Sequence, residues 1–120
     1  MRSVPVFRNS LVASGNYADS LSNFKRFEEA RSLMRKTMPV ARRVLGKSDE
    51  LTLRLRWIYA MSLYRDDTAT LDDLREAVTT LEDVEQTARR VLGGAYPMTG
   101  ELSKTLRNAR AALRAREGSA

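Results

Sequence analysis

Apolar residues recur at intervals of three and four along most of the chain, which is the spacing of one face of an α-helix. Such faces run through positions 24–45, 49–64 and 97–113, and a weaker one runs through 9–22, where a glycine dilutes it. The most regular face consists of Leu71, Leu74, Val78, Leu81, Val84, Ala88 and Val91. The pattern therefore predicts five helices and an all-α protein.

Residues typical of helix ends separate these segments. We expect Asn23 to cap the second helix, and Gly46 suits the residue with positive φ just past its end. Thr70, with Asp73 three residues later, predicts a capping box at the start of the fourth helix, and Pro97 suits the first position of the fifth.

Pro39 falls inside the second predicted helix. Its ring clashes with the carbonyl of Arg35, and it has no N–H to donate to that carbonyl. We therefore expect the second helix to kink near Met38.

The chain also repeats itself. The hexamer Ala-Arg-Arg-Val-Leu-Gly occupies 41–46 and again 88–93, 47 residues later. A second match, Tyr-Ala-x-Ser-Leu, occupies 17–21 and 59–63, 42 residues apart. The two offsets agree if the polar run 66–70 is a five-residue insert in the second copy. A repeat of about 42 residues is typical of a helical array.

Helices joined by such short connections predict a solenoid of two antiparallel helix pairs plus a C-terminal capping helix. Its domain is expected over 9–116. We expect a flexible N-terminus over 1–8 and a flexible tail over 117–120.

Composition narrows the function classes. The chain has no cysteine, so disulfides, thiol nucleophiles and zinc–thiolate sites are excluded, and it has no histidine, the commonest general base. The acidic pairs 66–67 and 72–73 lack the glycine and terminal glutamate of a calcium loop. No phosphate loop follows a strand. We therefore expect no enzyme activity, no cofactor and no metal.

The formal net charge is +6, supplied mainly by arginine. The basic residues alternate with acidic ones, which is typical of a solvated surface. A basic helical module that binds nucleic acid through the last helix is an alternative and requires the stripe Arg107, Arg110, Arg114 and Arg116. We regard nucleic acid as the less favoured partner. No segment has the apolar length of a membrane span or a secretory signal, so we expect no membrane association and a cytoplasmic location.

The repeat resembles a tetratricopeptide repeat of the kinesin-light-chain type. The matching segments in the first copy are 16–18 (Asn-Tyr-Ala), 26–30 (Arg-Phe-Glu-Glu-Ala) and 43–46 (Arg-Val-Leu-Gly). The second copy offers 58–60, 74–77 and 90–93, and 93–99 looks like the linker of that family, with Tyr96 where histidine is usual. Ile58 departs from the usual asparagine.

The resemblance implies a protein–protein interaction scaffold in which the first helix of each pair lines a concave groove for an extended peptide. The mapping places Gly15, Asp19, Ser22 and Asn23 on that face in the first pair. In the second pair and the last helix it places Arg54, Trp57, Met61, Tyr64, Arg65, Glu101, Lys104 and Asn108 there. Within this set we predict that the peptide contacts Arg54, Trp57, Met61, Arg65, Lys104 and Asn108. An aromatic ring and a methionine between arginines suit an apolar anchor with acidic neighbours, so the partner is expected to be a protein or peptide of acidic or mixed charge.

Two alternatives stay open. As the sole tryptophan, Trp57 could instead pack as part of the scaffold, which is the favoured reading because large aromatic side chains are mostly buried. The chain could also be a structural fragment of a longer solenoid. An exposed apolar stripe on the first helix would then be covered by upstream repeats, or by a second copy in a homodimer.

Overall fold

The computed structural model describes residues 4–118 of the 120-residue chain, with side chains from Phe7 onward. These residues form five α-helices and no strand. The helices are α1 (Val4–Asn23), α2 (Phe27–Leu45), α3 (Glu50–Tyr64), α4 (Leu71–Val91) and α5 (Pro97–Gly118). The predicted all-α class and the number of helices are confirmed.

Each helix packs against the one that follows it in the chain, and the connections are short, so neighbours are antiparallel. In addition α1 contacts α3, and α3 contacts α5, whereas within the described residues α2 and α4 do not contact each other. The helices therefore form an inner layer of α1, α3 and α5 and an outer layer of α2 and α4. This arrangement confirms the predicted helical-repeat solenoid of two pairs plus a closing helix.

Helix α3 is the centre of the molecule because it contacts all four other helices. Its apolar side chains are buried on nearly every side, and Leu53, Leu55 and Leu63 have no exposed surface. The predicted core positions of this helix are all buried: Leu51, Leu55, Ile58, Tyr59, Ser62 and Leu63. A helix apolar all round is expected where neighbours surround it.

Helices α2 and α4 each bury one stripe against α3. On α2 the stripe includes Ala30, Met34 and Ala41, and on α4 it includes Leu81 and Val84. The alanines let the helix backbones approach one another, and the larger side chains fill the space between the turns. Val91, the last predicted core position of α4, is 48% exposed, so that prediction is wrong.

Several predicted helix ends are confirmed. The Thr70 hydroxyl accepts from the Asp73 backbone N–H at 3.1 Å, and the Asp73 carboxylate accepts from the Thr70 N–H at 3.0 Å. Gly46 and Gly93 close the two copies of the hexamer with φ of 91° and 93°, which side chains with a Cβ rarely adopt.

The start of α2 differs from the prediction. Asn23 is the last residue of α1 rather than a cap, and α2 begins at Phe27. Between them Lys25 adopts φ of 62°, which turns the chain. Phe24, predicted to be the first core residue of α2, lies in this turn and is 79% exposed.

The chain ends also differ from the prediction. Helix α1 begins at Val4, five residues before its expected start, and α5 continues to Gly118. Residues 1–3 and 119–120, which belong to the predicted flexible ends, lie outside the described part. The Arg8 guanidinium contacts the Asp49 carboxylate at 3.2 Å, so the first turns of α1 are linked to the N-terminus of α3.

Helix α2 is assigned without interruption through Pro39, whose ring is exposed. The kink near Met38 stays a prediction. Across residues 4–118, no helix combines the length and the apolar character that crossing a bilayer requires.

Candidate functional site

Two adjoining cavities lie between α1 and α3 in the inner layer, and we call them together the inner groove. The larger has a volume of about 270 Å³ and the smaller about 120 Å³. Asn16, Arg54 and Ile58 line both. The remaining lining residues are Val12, Gly15, Leu51 and Leu55 in the larger cavity and Asp19, Trp57 and Met61 in the smaller.

The close approach of α1 to α3 at this groove depends on Gly15. A Cβ placed on Gly15 would lie 2.8 Å from Cδ2 of Leu55, whose side chain is fully buried. The glycine that weakens the periodicity of α1 is thus the residue that allows this helix contact.

The structure brings three predicted binding residues together in the smaller cavity: Arg54, Trp57 and Met61. Arg54 is exposed, and among the described residues it forms no ion pair within 4 Å. Met61 is half-buried and packs against the core. Asp19, also predicted to face the groove, lines the opposite wall. The cavity therefore combines an apolar surface with one unpaired cation and one carboxylate.

Trp57 has two roles in the structure. Its ring is half-buried against the core, and its Nε1–H donates a hydrogen bond to the Thr105 hydroxyl of α5 at 3.1 Å. Part of the same ring lines the inner groove. The indole of Trp57 therefore packs within the scaffold, as one interpretation of the sequence predicted, and also contributes to the groove surface, as the other required.

The other predicted binding residues, Arg65, Lys104 and Asn108, line neither cavity. All three are exposed, and the Lys104 ammonium lies 3.9 Å from the Glu101 carboxylate. Burial raises the pKa of the Tyr64 phenol, while Arg65 and an interaction with Asn108 act in the opposite direction. Arg65 caps the end of α3, and Lys104 and Asn108 lie on α5, so the structure does not bring these three residues into the inner groove.

Two predicted groove residues of α1 do not serve in the groove. Ser22 is 1% exposed, so its assignment to an open binding face is wrong, and Asn23 lies at the helix end outside both cavities. The Ser22 hydroxyl has no hydrogen-bond partner within the described residues.

Asn16 is a polar residue of the groove that the predicted binding set missed. It is exposed, lines both cavities and lies one helical turn from Val12 and Asp19. The sequence could have indicated this residue, because Asn16 is the first residue of the segment 16–18 on which the family resemblance rests.

The arginine stripe required for nucleic-acid binding is partly used within the protein. Arg110 forms an ion pair with Glu82 at 2.9 Å. Arg116 donates to the backbone carbonyls of Ala69 and Asp67 in the predicted insert. Arg107 and Arg114 are exposed. Half of the stripe therefore stabilises the packing of α5.

Metal ligands are sparse. The part of the chain that the structure describes contains no group of three or more acidic side chains arranged to hold a metal ion.

Residues 11–50 match the family model described as Tetratricopeptide repeat. The matched segment covers a third of the chain and spans most of α1, all of α2 and the first residue of α3. Over these residues the chain is similar to that family, in the copy where the resemblance was read from the sequence. Neither the curated proteins nor the solved structures gave a significant match.

Proposed function

We propose that this protein is a non-catalytic scaffold that binds an extended peptide in the inner groove. Tetratricopeptide repeats generally mediate protein–protein interaction, and the match over 11–50 includes the α1 side of this groove. The observation that carries the proposal is the exposed, unpaired Arg54 beside the apolar surface of Trp57 and Met61.

The groove chemistry favours an apolar side chain followed by an acidic one. Trp57 and Met61 offer a polarisable apolar surface, which adapts to aliphatic or aromatic anchors. The Arg54 guanidinium can form a bidentate pair of hydrogen bonds with a carboxylate. Asp19 on the facing wall opposes a peptide that is acidic throughout, so a single acidic position opposite Arg54 fits better.

Asn16 supports an extended ligand. Its side-chain amide carries both a donor and an acceptor, the two groups that pair with a peptide backbone unit. Because it lines both cavities, it can contact the main chain of a peptide that passes from one to the other.

The test is a fluorescence titration that uses Trp57 as the probe, since it is the only tryptophan. The ligands are short peptides that pair an apolar residue with one glutamate, and the matched peptide carries glutamine instead. We expect the glutamate peptide to change the Trp57 emission, and Arg54→Glu to weaken its binding about tenfold. Asn16→Ala should weaken the glutamate and glutamine peptides equally.

Arg90→Glu is the matched control, because Arg90 is an exposed arginine of α4 that lines neither cavity of the groove. It changes the net charge as Arg54→Glu does. Equal losses in the two variants, or peptides that never alter the emission, would contradict the proposal.

A second candidate is self-association, or packing on another repeat, through the outer face of α1. Arg8, whose side chain is 43% exposed, is paired with Asp49, and the other exposed side chains described on this helix carry no charge: Asn9, Ser10, Ala13, Tyr17, Ser20 and Asn23, with Val12 and Asn16 also lining the inner groove. At the opposite end of the solenoid, α5 exposes Glu101, Lys104, Arg107, Arg114 and Glu117. Terminal repeats in solenoids have polar outer faces, so α5 suits an end and α1 suits an interface.

The finer parts of the resemblance belong to the same proposal. The kinesin-light-chain subtype is favoured by the 42-residue period, and a cytoplasmic setting agrees with a chain free of cysteine. Nucleic acid remains the less favoured partner, because Arg110 and Arg116 are already engaged within the fold.

A further inference from the structure

Another cavity lies away from the inner groove, on the outer layer, and we call it the outer cleft. It has a volume of about 730 Å³ and opens between α2 and α4 because these helices do not contact each other within the described residues. Its floor is Arg56 and Tyr59 of α3. A cavity of this volume is within the usual range for small-molecule sites.

The walls of the outer cleft are strongly basic. Four arginines line it, namely Arg35, Arg42, Arg43 and Arg56, against the single carboxylate of Glu76. Arg56 is neutralised by Asp83 at 2.7 Å. Arg42 and Arg43 lie in the last turn of α2, at the negative end of its dipole, and form no ion pair among the described residues, so at least two guanidinium groups have no acidic side chain as partner.

Two further groups in the cleft are held in place. The Tyr59 phenol donates to the Glu76 carboxylate at 2.6 Å, and burial together with this bond raises the pKa of Tyr59. The Arg35 guanidinium lies 5.7 Å from the centre of the Tyr59 ring. The Arg35 guanidinium also interacts with the Tyr59 phenol, which helps to orient this arginine and leaves its remaining donors for a ligand.

Comparison of the two repeat copies shows that an arginine at this helix end can be paired with an acidic side chain or left unpaired. Arg89, the counterpart of Arg42 in the second hexamer, is paired with Glu85 one turn earlier at 2.6 Å. The position that corresponds to Glu85 in the first copy is Met38, which lines the outer cleft. The same arginine is therefore neutralised in one copy and available in the other.

We propose that the outer cleft binds a phosphate monoester carried on a small apolar group. Arg42 and Arg43 contact the phosphate oxygens, Arg35 approaches from the Tyr59 side, and the apolar group packs on Met38 and Pro39. Arginine suits a phosphate because its planar donors match two oxygens at once. This site is separate from the inner groove and does not depend on peptide binding there.

The first test is a titration of the whole chain with phenyl phosphate, followed by NMR of the arginine side chains and methionine methyl groups. Inorganic phosphate and benzyl alcohol test the two halves of the ligand separately. We expect shifts at Met38 and at the cleft arginines with phenyl phosphate, and weaker binding of inorganic phosphate. Absence of shifts at these groups would overturn the proposal.

The repeat supplies matched variants. We expect Arg43→Glu to weaken phenyl phosphate binding about tenfold, while Arg90→Glu, the same change in the second hexamer, leaves it nearly unchanged. Equal losses of affinity in both variants would show that only the overall charge of the protein matters, which would refute a specific phosphate site in the cleft.

Met38→Glu tests the cleft without removing an arginine. It places a carboxylate one turn before Arg42, as Glu85 lies before Arg89, and should abolish phosphate binding. Met38→Gln is the control for polarity and should retain most of it, and a thermal melt verifies that both variants fold. Retention of binding in Met38→Glu would count against the assignment.

A further titration distinguishes a phosphorylated side chain from a free phosphate ester as the ligand. A short neutral peptide with one phosphotyrosine is compared with phenyl phosphate. Tighter binding of the peptide identifies a phosphorylated side chain as the ligand, and equal binding identifies a free ester. Both results retain the phosphate site.

Discussion

The indole N–H of Trp57 and the hydroxyl of Thr105 form a hydrogen bond of 3.1 Å that joins α3 to α5. Thr105 is 8% exposed, and its hydroxyl also donates to the Glu101 carbonyl at 2.9 Å. The Thr105 hydroxyl therefore accepts one hydrogen bond and donates another. The only tryptophan of the chain thus links the closing helix to the central one while part of its ring remains in the inner groove.

We expect Thr105→Val to destabilise the protein by about 1–2 kcal/mol, because the half-buried N–H of Trp57 loses its acceptor while the side-chain volume is kept. Thr105→Ser, which retains the hydroxyl, should cost less. Thermal unfolding followed by circular dichroism and by Trp57 emission measures both variants. If valine is tolerated as well as serine, this hydrogen bond does not stabilise the α3–α5 contact.

A second long-range contact, between Arg31 and Asp66, links α2 to the predicted insert. The ion pair spans 3.0 Å, with side-chain exposures of 12% and 14%, and the same guanidinium donates to the Ser62 carbonyl. Burial acts to raise the pKa of Asp66, but hydrogen bonds from Thr68 and the Arg31 charge outweigh it, so the pKa is lowered.

A carboxyl group with a lowered pKa stabilises the fold above its unfolded pKa of about 4, and this contribution is lost as the pH falls through the folded pKa. We expect Asp66→Asn to cost about 2 kcal/mol at neutral pH and to flatten the acid limb of the stability curve. Urea unfolding at a series of pH values measures both effects. Asp67→Asn, an exposed neighbour, is the control, and an unchanged acid limb in Asp66→Asn would contradict this account.

The periodic apolar pattern was sufficient to predict the helices and most of the core. It predicted the burial of Leu55, Leu63 and Leu81, because a helix with one apolar stripe has few other ways to remove it from water. It failed at Phe24, since nothing local indicated that Lys25 would adopt the positive φ that ends the α1–α2 turn.

The candidate site was predictable only in part. Arg54, Trp57 and Met61 lie on one helix, so their spacing fixed their common face. The same spacing assigned Arg65 to this face, but Arg65 caps the end of α3 and lines neither cavity. Lys104 and Asn108 were added from the family pattern alone, and whether they share a cavity with that set depends on how α5 packs against α3. The outer cleft could not be predicted, because it depends on the separation of α2 from α4.

Replacing Pro39 tests how much a proline inside α2 destabilises the protein. Pro39→Ala supplies an N–H that can donate to the Arg35 carbonyl and removes the ring clash, and a greater entropy of the unfolded chain opposes this gain. We expect a net stabilisation of about 2 kcal/mol, measured by urea unfolding. Pro39→Gly should gain about 1 kcal/mol less because glycine is a poorer helix former. A destabilised alanine variant would show that the proline ring contributes needed packing.

The uncharged outer face of α1 leads to the last prediction. Tyr17 on α1 is 59% exposed and Phe24 in the turn after α1 is 79% exposed, and burying such rings between two copies would release water from apolar surface. We expect the isolated chain to show a mass above its monomer value of 13.6 kDa in light scattering at high concentration. Tyr17→Glu and Phe24→Glu should return it to the monomer because each would bury an unpaired charge. Val91→Glu, at an exposed apolar residue of α4, is the control and should leave the mass unchanged. A wild-type chain that stays monomeric at every concentration would exclude the homodimer, whereas equal effects of all three variants would indicate non-specific association.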